Sequence, residues 1–297
     1  MRNKTIWIFA VLLAAVAVAP GISCGGDDDD DITPDITPDI TPDDGGRDDA
    51  DTGESTGEQC PPAPNPDVPE LRLRTLTILT PAAMTNAVLQ QLIANSMNNE
   101  DFIWLIRFTG KGTGTMTLRT GSGQKVAGRT CTYSYLPAPY APGEMQMTET
   151  GLDFALSGDP IPQLDVPMWS EGTAYPEEPL LVLPLRNLDI GGTFSSDYLY
   201  IGSYNEVTEE WTEAGTLSGA VTAADAQATI IEDLGMTMCG LLSGSTGAAG
   251  NPADDCEGGP PGWNPASWPR PPDTTVGGEP AYSMTATFAA SAVHIQD

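Results

Sequence analysis

The stretch Leu71-Arg72-Leu73-Arg74-Thr75-Leu76-Thr77-Ile78-Leu79 decides the fold, because apolar and polar side chains alternate along its first half. A period of two residues is typical of a β-strand, in which successive side chains point to opposite faces of a sheet. Tyr282–Ile295 alternates in the same way, and shorter apolar segments between the two are separated by proline and glycine. The pattern predicts a mainly β domain, an antiparallel β-sandwich or a barrel-like sheet with one or two short helices, and we favour the sandwich.

Two helix starts accompany the strands. Thr80-Pro81 is typical of an N-cap followed by proline in the first turn, and an apolar stripe after it predicts a helix over Pro81–Met97. We expect this stripe to pack on the core, as short surface helices usually do. Thr222-Ala223-Ala224-Asp225 is typical of the start of a brief second helix that reaches Leu234.

Glycine and the strand pattern together predict a meander in the first half of the domain. Thr115–Thr120 alternates as a strand does, and Gly121-Ser122-Gly123 predicts a turn that leads into Gln124–Leu136. In the second half, Trp211–Val221 is a further strand candidate.

The N-terminus has the features of an export signal. Arg2 and Lys4 precede an unbroken apolar run, Ile6 to Ala19, which has the length of a signal-peptide core rather than of a membrane span. Gly21-Ile22-Ser23-Cys24 follows and resembles the lipobox of bacterial lipoproteins, whose usual form is Leu-Ala-Gly/Ser-Cys. The resemblance is confined to the leader. It implies that residues 1–23 are a signal peptide and that Cys24 carries the lipid anchor.

The residues after Cys24 predict a spacer and then one domain. Residues 24–59 contain three copies of Ile-Thr-Pro-Asp, and residues 25–59 have fourteen acids against one arginine. Repulsion between the acidic side chains and the presence of proline favour an extended, disordered tether over a packed structure. Residues 60–297, which begin with a proline-rich collar, are predicted to form a single mainly β extracytoplasmic domain. Gly25 stands where an inner-membrane lipoprotein of enterobacteria has Asp, so the resemblance implies the outer membrane or cell surface of a Gram-negative bacterium.

Four cysteines remain besides the lipidated one: Cys60, Cys131, Cys239 and Cys256. Disulfides are expected in an exported domain, and four cysteines allow three pairings. We favour Cys60 with Cys131 and Cys239 with Cys256. No metal site is predicted, because no Cys-x-x-Cys spacing occurs and His294 is the only histidine.

Charge is distributed unevenly, with a net of −29 over the 297 residues. Residues 60–129 have seven bases and four acids, a net of +3, whereas residues 130–297 have two bases and twenty-three acids, a net of −21. The overall charge excludes nucleic acid as a partner, because phosphate would be repelled. The basic segment either binds an anionic glycan or headgroup or pairs with acidic residues of the same sheet, and we favour the pairing.

Motifs for catalysis are weak in this chain. The P-loop and the His-Glu-x-x-His motif do not occur. His294 is the only histidine, so no other imidazole could serve as the base of a Ser-His-Asp triad. Ser122-Gly123-Gln124-Lys125 matches Ser-x-x-Lys, but it lies in the predicted turn rather than at a helix start. Glu171, Glu177 and Glu178 lie near Trp169 and Tyr175, so they are the acids that would serve a glycoside hydrolase. We predict no catalytic residue and no cofactor.

Trp263 and Trp268 are the candidate ligand-binding aromatics, since both lie in a proline-rich loop where rigid rings would suit stacking on a sugar or partner chain. The alternative is that one or both rings close the end of the core, because large rings gain most from burial. The function predicted is a lipid-anchored display protein that binds a surface glycan or protein without catalysis. A surface glycoside hydrolase and a structural envelope lipoprotein are the two alternatives.

Overall fold

The computed structural model describes residues 67–85, 87–170, 172–231, 236–244 and 264–297. The chain divides at Thr56/Gly57 into two units, and every described residue belongs to the second. The predicted leader, the tether and the collar therefore lie outside the described residues. So do several residues singled out above: Cys24, Cys60, Glu171, Cys256 and Trp263.

The described residues form many strands and few helices, which confirms the predicted class. The strands are β1 (Glu70–Thr80), β2 (Trp104–Thr109), β3 (Thr115–Lys125), β4 (Thr132–Tyr135), β5 (Gly143–Thr150), β6 (Asp153–Leu156), β7 (Ile161–Met168), β8 (Leu181–Thr193), β9 (Tyr200–Ile201), β10 (Ser203–Asn205), β11 (Glu210–Thr212), β12 (Gly215–Thr222), β13 (Ile230–Ile231), β14 (Met236–Thr237), β15 (Thr274–Val276), β16 (Glu279–Ala292) and β17 (His294–Gln296). The helices are α1 (Ala87–Asn98), α2 (Ala223–Ala228) and α3 (Met238–Ser243), with 3-10 turns at Ala82–Met84 and Pro265–Ser267.

Eight of these strands close into an antiparallel barrel. Their order around the barrel is β1, β2, β3, β5, β6, β8, β12 and β16, which is also their order along the chain. The ring closes where β16 returns to β1, with Ala292 opposite Leu71 and Phe288 opposite Leu76. Because the sheet is closed, each of the eight strands has a neighbour on both sides. Its backbone hydrogen-bonding groups are therefore protected from pairing with other chains. Of the two predicted arrangements, the barrel-like sheet describes this fold and the favoured sandwich does not.

Aromatic side chains fill the barrel. Phe108 packs edge-on against Phe154 and Phe194, with ring centroids 4.9 and 4.8 Å away. Phe288 lies over Gly215, where an added Cβ would come within 2.4 Å of the ring. The indole of Trp104 is also buried, and its Nε1 donates to Thr120 at 2.7 Å. The interior is therefore a packed core, and ligand sites have to be sought on the outside.

Strand β3 corrects the predicted turn at Gly121–Gly123. These residues lie inside one strand that pairs with β2 and β5 in its first half and with β4 in its second half. Glycine is needed there because neighbours come very close: a Cβ on Gly121 would lie 2.8 Å from Pro142 Cα, and one on Gly123 would lie 2.4 Å from Leu105 Cδ1. Strand β4 thus leaves the barrel and lies in an outer layer.

The predicted first helix begins later than expected. A 3-10 turn occupies Ala82–Met84, and α1 spans Ala87–Asn98 instead of Pro81–Met97. Gln90 on α1 joins the helix to the barrel: its side chain accepts from the backbone N–H of Ile78 at 3.2 Å and donates to the Ile78 carbonyl at 2.9 Å. Because the β1–β2 pairing covers only Glu70–Arg72 of β1, this amide replaces a missing strand neighbour.

The second predicted helix starts at the predicted place and is shorter. Thr222 caps α2, and its hydroxyl accepts from the backbone N–H of Asp225 at 3.0 Å. The predicted strand Trp211–Val221 is divided between β11 and β12. That division creates a hairpin outside the barrel, which carries the first candidate site.

Candidate functional site

A two-stranded hairpin, formed by β10 and β11, stands apart from the barrel sheet. Tyr204 and Trp211 are directly opposite each other on its strands, with ring centroids 4.7 Å apart. Tyr200, just before the hairpin, has its ring centroid 6.0 Å from that of Trp211. These three residues together with the hairpin, Tyr200–Thr212, are called the aromatic hairpin below.

Local sequence explains why the chain turns here. The side chain of Asn205 accepts hydrogen bonds from the backbone N–H groups of Val207 and Thr208, at 2.9 and 3.3 Å, which is an Asx turn. Gly202 enters the hairpin with φ +86°, and a Cβ there would lie 2.1 Å from the Thr212 carbonyl oxygen. The turn and the cross-strand rings together hold the hairpin in shape.

The aromatic hairpin presents rings beside carboxylates. All three rings are half-buried, while Val207 at the tip is 92% exposed. Glu206, Glu209 and Glu210 are also exposed. Burial and the charges of Asp197 and Glu206 raise the pKa of Tyr200 above its ordinary value, so its hydroxyl stays protonated and able to donate. The surface offers flat apolar faces and hydrogen-bonding groups to a partner that tolerates negative charge.

The structure places the tryptophans predicted from sequence differently. Trp268 is only 5% exposed and belongs to the core, so its ring is not available for stacking on a ligand. The next residues are fixed to α3: Arg270 donates through its backbone N–H to the Ser243 carbonyl at 2.8 Å. For Trp268, burial in the core agrees with the alternative stated for this ring. Trp263 lies outside the described residues.

The acids proposed for a glycosidase are not gathered around an exposed ring. Glu177 and Glu178 are exposed, and the neighbouring Trp169 is 6% exposed with its Nε1 donating to the Glu177 carbonyl at 3.0 Å. Tyr140 packs edge-on against Trp169 at 6.3 Å. The Trp169 ring therefore packs against the protein, and Glu171 lies outside the described residues.

Bases of the first half form two clusters with acids. In the first, which we call the closed cluster, Arg72 donates to Glu100 at 2.6 Å and to the Tyr133 hydroxyl at 3.0 Å. Lys125 pairs with the other oxygen of Glu100 at 3.0 Å. Burial opposes ionisation of Glu100, but the charge of Arg72 and the hydrogen bonds of Tyr133 and Lys125 outweigh it and hold its pKa below the ordinary value. Burial and the neighbouring Arg72 lower the pKa of Arg74 to about 10.

The second cluster lies in an open groove of about 520 Å³, which we call the outer groove. Arg107 on β2 and Arg119 on β3 are register partners on its floor. Asp297 accepts a hydrogen bond from Arg107 and lies 3.7 Å from Arg119, measured from Oδ1 to Nη1. Outer strands β4 and β17 supply much of the wall, including Ser134 and Gln296. Bases pair with acids in both clusters, as the favoured prediction expected, but the prediction placed those acids in the same sheet, and Glu100 and Asp297 lie outside its strands.

Cys131 and Cys239 are both disulfide-bonded and buried. The cysteines predicted to pair with them, Cys60 and Cys256, lie outside the described residues, so the pairing stays a prediction. His294 joins β17 to the outer layer through its backbone, whose N–H donates to the Cys131 carbonyl at 2.8 Å. Within the described ranges, no group of three or more His, Cys, Asp or Glu residues is placed to hold a metal ion.

Comparison of the chain with models of protein families, with curated proteins and with solved structures finds no match. In the part of the chain that the structure describes, no helix has both the length and the apolar character needed to cross a membrane. The sequence signals that would have found the aromatic hairpin are Tyr200, Tyr204 and Trp211 around the turn residue Asn205. The sequence pattern does not reveal them, because Trp211–Val221 predicts one strand and includes Trp211 in it.

Proposed function

We propose that this protein is an exported, lipid-anchored display module that binds a glycan at the outer membrane or cell surface without catalysis. Support for the anchor comes from the leader, which ends at Ser23-Cys24 and is followed by an acidic tether. Acyl chains on Cys24 would hold the protein at the membrane, and the tether would give the domain reach. Replacement of Cys24 by Ala should abolish incorporation of labelled fatty acid, and unchanged incorporation would exclude the anchor.

The observation that carries the binding proposal is the aromatic hairpin. Its strands form a small sheet separate from the barrel sheet, and the rings of Tyr204 and Trp211 are neighbours across it with centroids 4.7 Å apart. Tyrosine and tryptophan offer a large apolar contact area together with a polar group, which suits the faces and hydroxyls of a sugar. The exposed carboxylates of Glu206, Glu209 and Glu210 would accept hydrogen bonds from hydroxyls and repel acidic sugars. We therefore expect a neutral glycan.

Binding is favoured over catalysis because the tip of this hairpin is exposed to solvent. Charged catalytic groups are effective where a concave site excludes water and strengthens their electrostatic interactions. The hairpin tip is open to solvent, as the 92% exposure of Val207 indicates. An aromatic hairpin with a solvent-exposed tip supports recognition without turnover.

A glycan array with the full-length protein would test the proposal. Wild type should bind a set of neutral glycans, and the double substitution Tyr204→Ala and Trp211→Ala should remove that binding. Val207→Ala is the matched control, because it changes an exposed side chain at the same tip and leaves the rings in place. Equal binding by wild type and the double variant, with both folded by circular dichroism, would exclude the hairpin as the binding surface.

A further inference from the structure

The outer groove contains two like charges placed face to face. Arg107 and Arg119 are directly opposite each other in the β2–β3 register. Like charges at such positions destabilise a strand pair unless an anion lies between them. In this chain Glu70 pairs with Arg107 alone, and the side-chain carboxylate of Asp297 is the anion whose Oδ1 lies within 4 Å of both guanidinium groups. The pair is thus arranged as a receptor for one carboxylate.

Both arginines are held in place by other groups. Arg107 donates through Nε to Glu70 at 2.8 Å and through Nη2 to the Ile295 carbonyl, and only 12% of its side chain is exposed. The guanidinium of Arg119 stacks on the Tyr135 ring at 4.8 Å, and the Tyr135 hydroxyl donates to the Arg119 carbonyl at 2.8 Å. Fixing donors before a ligand arrives reduces the entropy lost on binding.

The carboxylate that occupies the site is hydrogen-bonded to only one of the two arginines, because Asp297 accepts from Arg107 and not from Arg119. Asp297 is 77% exposed, and its distance of 3.7 Å to Arg119 is longer than a hydrogen bond. Glu144 lies 3.9 Å from Arg119, which is also too long. Exposed ion pairs contribute little stability. An external carboxylate that satisfied both arginines at hydrogen-bond length could therefore displace Asp297.

The rest of the groove suits a sugar. Its lining includes hydroxyl and amide groups from Thr109, Thr117, Ser134 and Gln296. Its volume of about 520 Å³ lies within the range of small-molecule sites, about 300–1,000 Å³. We propose that the outer groove binds the carboxylate of an acidic saccharide between Arg107 and Arg119, and that Asp297 occupies this position when the ligand is absent. The site is separate from the aromatic hairpin and takes the opposite class of glycan.

The test is calorimetric titration of the full-length protein with three probes. Trigalacturonate supplies both sugar and carboxylate, its methyl ester supplies the sugar alone, and glutarate supplies carboxylate alone. Trigalacturonate should bind at least about tenfold more tightly than either of the others, since loss of one charged hydrogen bond is worth about that factor. Equal binding of the ester would overturn the carboxylate contact, and equal binding of glutarate would overturn the saccharide assignment.

Variants separate this site from general electrostatics. Arg119→Ala should weaken trigalacturonate about tenfold, whereas Lys111→Ala, which removes the same charge elsewhere, should leave the affinity unchanged. Asp297→Asn should tighten binding several-fold, because it removes the competing carboxylate, and the matched Asp159→Asn should not.

The hairpin variant Trp211→Ala should bind trigalacturonate normally, so failure of the hairpin proposal leaves this one standing. Unchanged affinity in Arg119→Ala and Asp297→Asn would refute the assignment, as would no binding of trigalacturonate.

Discussion

The closed cluster and the outer groove are both built from ion pairs between bases and a carboxylate, but they differ in burial and in distance. Each joins bases on two different strands to one carboxylate, and in each an arginine contacts a tyrosine. In the closed cluster the Arg72 side chain is 2% exposed and its contacts are at hydrogen-bond length; in the groove the Arg119 side chain is 37% exposed and its ion pairs are 3.7 and 3.9 Å long. Burial and distance, rather than residue type, therefore distinguish a structural ion pair from one that a ligand could replace.

The largest effect on the free energy of unfolding should come from Arg72→Met, which removes the arginine of the closed cluster. Glu100 would then lose its main partner, and the Tyr133 hydroxyl would lose a donor. Breaking a buried pair from one side typically costs about 3–5 kcal/mol, because a charge is left without its partner. We expect the free energy of unfolding in urea to fall by about that amount.

The double variant Arg72→Met, Glu100→Met is the matched control for that measurement. It leaves no buried carboxylate without a partner, so it should recover part of the loss. A single variant as stable as wild type would show that the cluster is not structural and would remove the contrast with the groove.

A smaller effect should be seen in the pH dependence of the free energy of unfolding, through the ionisation of Glu100. Its pKa in the folded protein lies below the ordinary value of 4.5, so its contribution to stability is present above pH 4.5 and is lost as the pH falls through the depressed pKa. Glu100→Gln should therefore be less stable than wild type by about 2 kcal/mol at pH 7, and the difference should shrink below pH 4.5. Urea unfolding of both proteins from pH 7 to pH 3 would measure it. A difference that stays constant across this range would contradict the assignment.

The sequence predicted the strands better than their closure. Alternation is local, so β1 and most of β16 could be found from their own residues. Pairing of Leu71 with Ala292 joins the two ends of the domain and depends on everything between them. Gly121 and Gly123 predict a turn because glycine is common in turns. Their reason here is contact with Pro142 and Leu105, which is invisible locally.

The candidate sites were harder to predict than the fold for a related reason. The basic composition of residues 60–129 indicated an interaction with acids, but the sequence could not say which arginine would be buried. Arg72 and Arg74 are two residues apart in the same alternating pattern, so the sequence does not distinguish them. Arg72 is structural because it contacts Glu100 and Tyr133. The aromatic hairpin was missed because a two-residue break between β11 and β12 has no strong signal in Trp211–Val221.

The smallest effect on stability should come from Arg119→Ala. Three contributions nearly cancel there: stacking on Tyr135 at an exposed site is worth about 0.5–1 kcal/mol, the two long ion pairs add little, and removal of Arg119 relieves its repulsion with Arg107. We expect the free energy of unfolding to change by less than about 1 kcal/mol, while trigalacturonate affinity falls about tenfold. Lys111→Ala again serves as the charge-matched control. A loss of about 3 kcal/mol or more in Arg119→Ala would mean that the outer groove is a second structural cluster, because only a pair that the fold depends on responds so strongly.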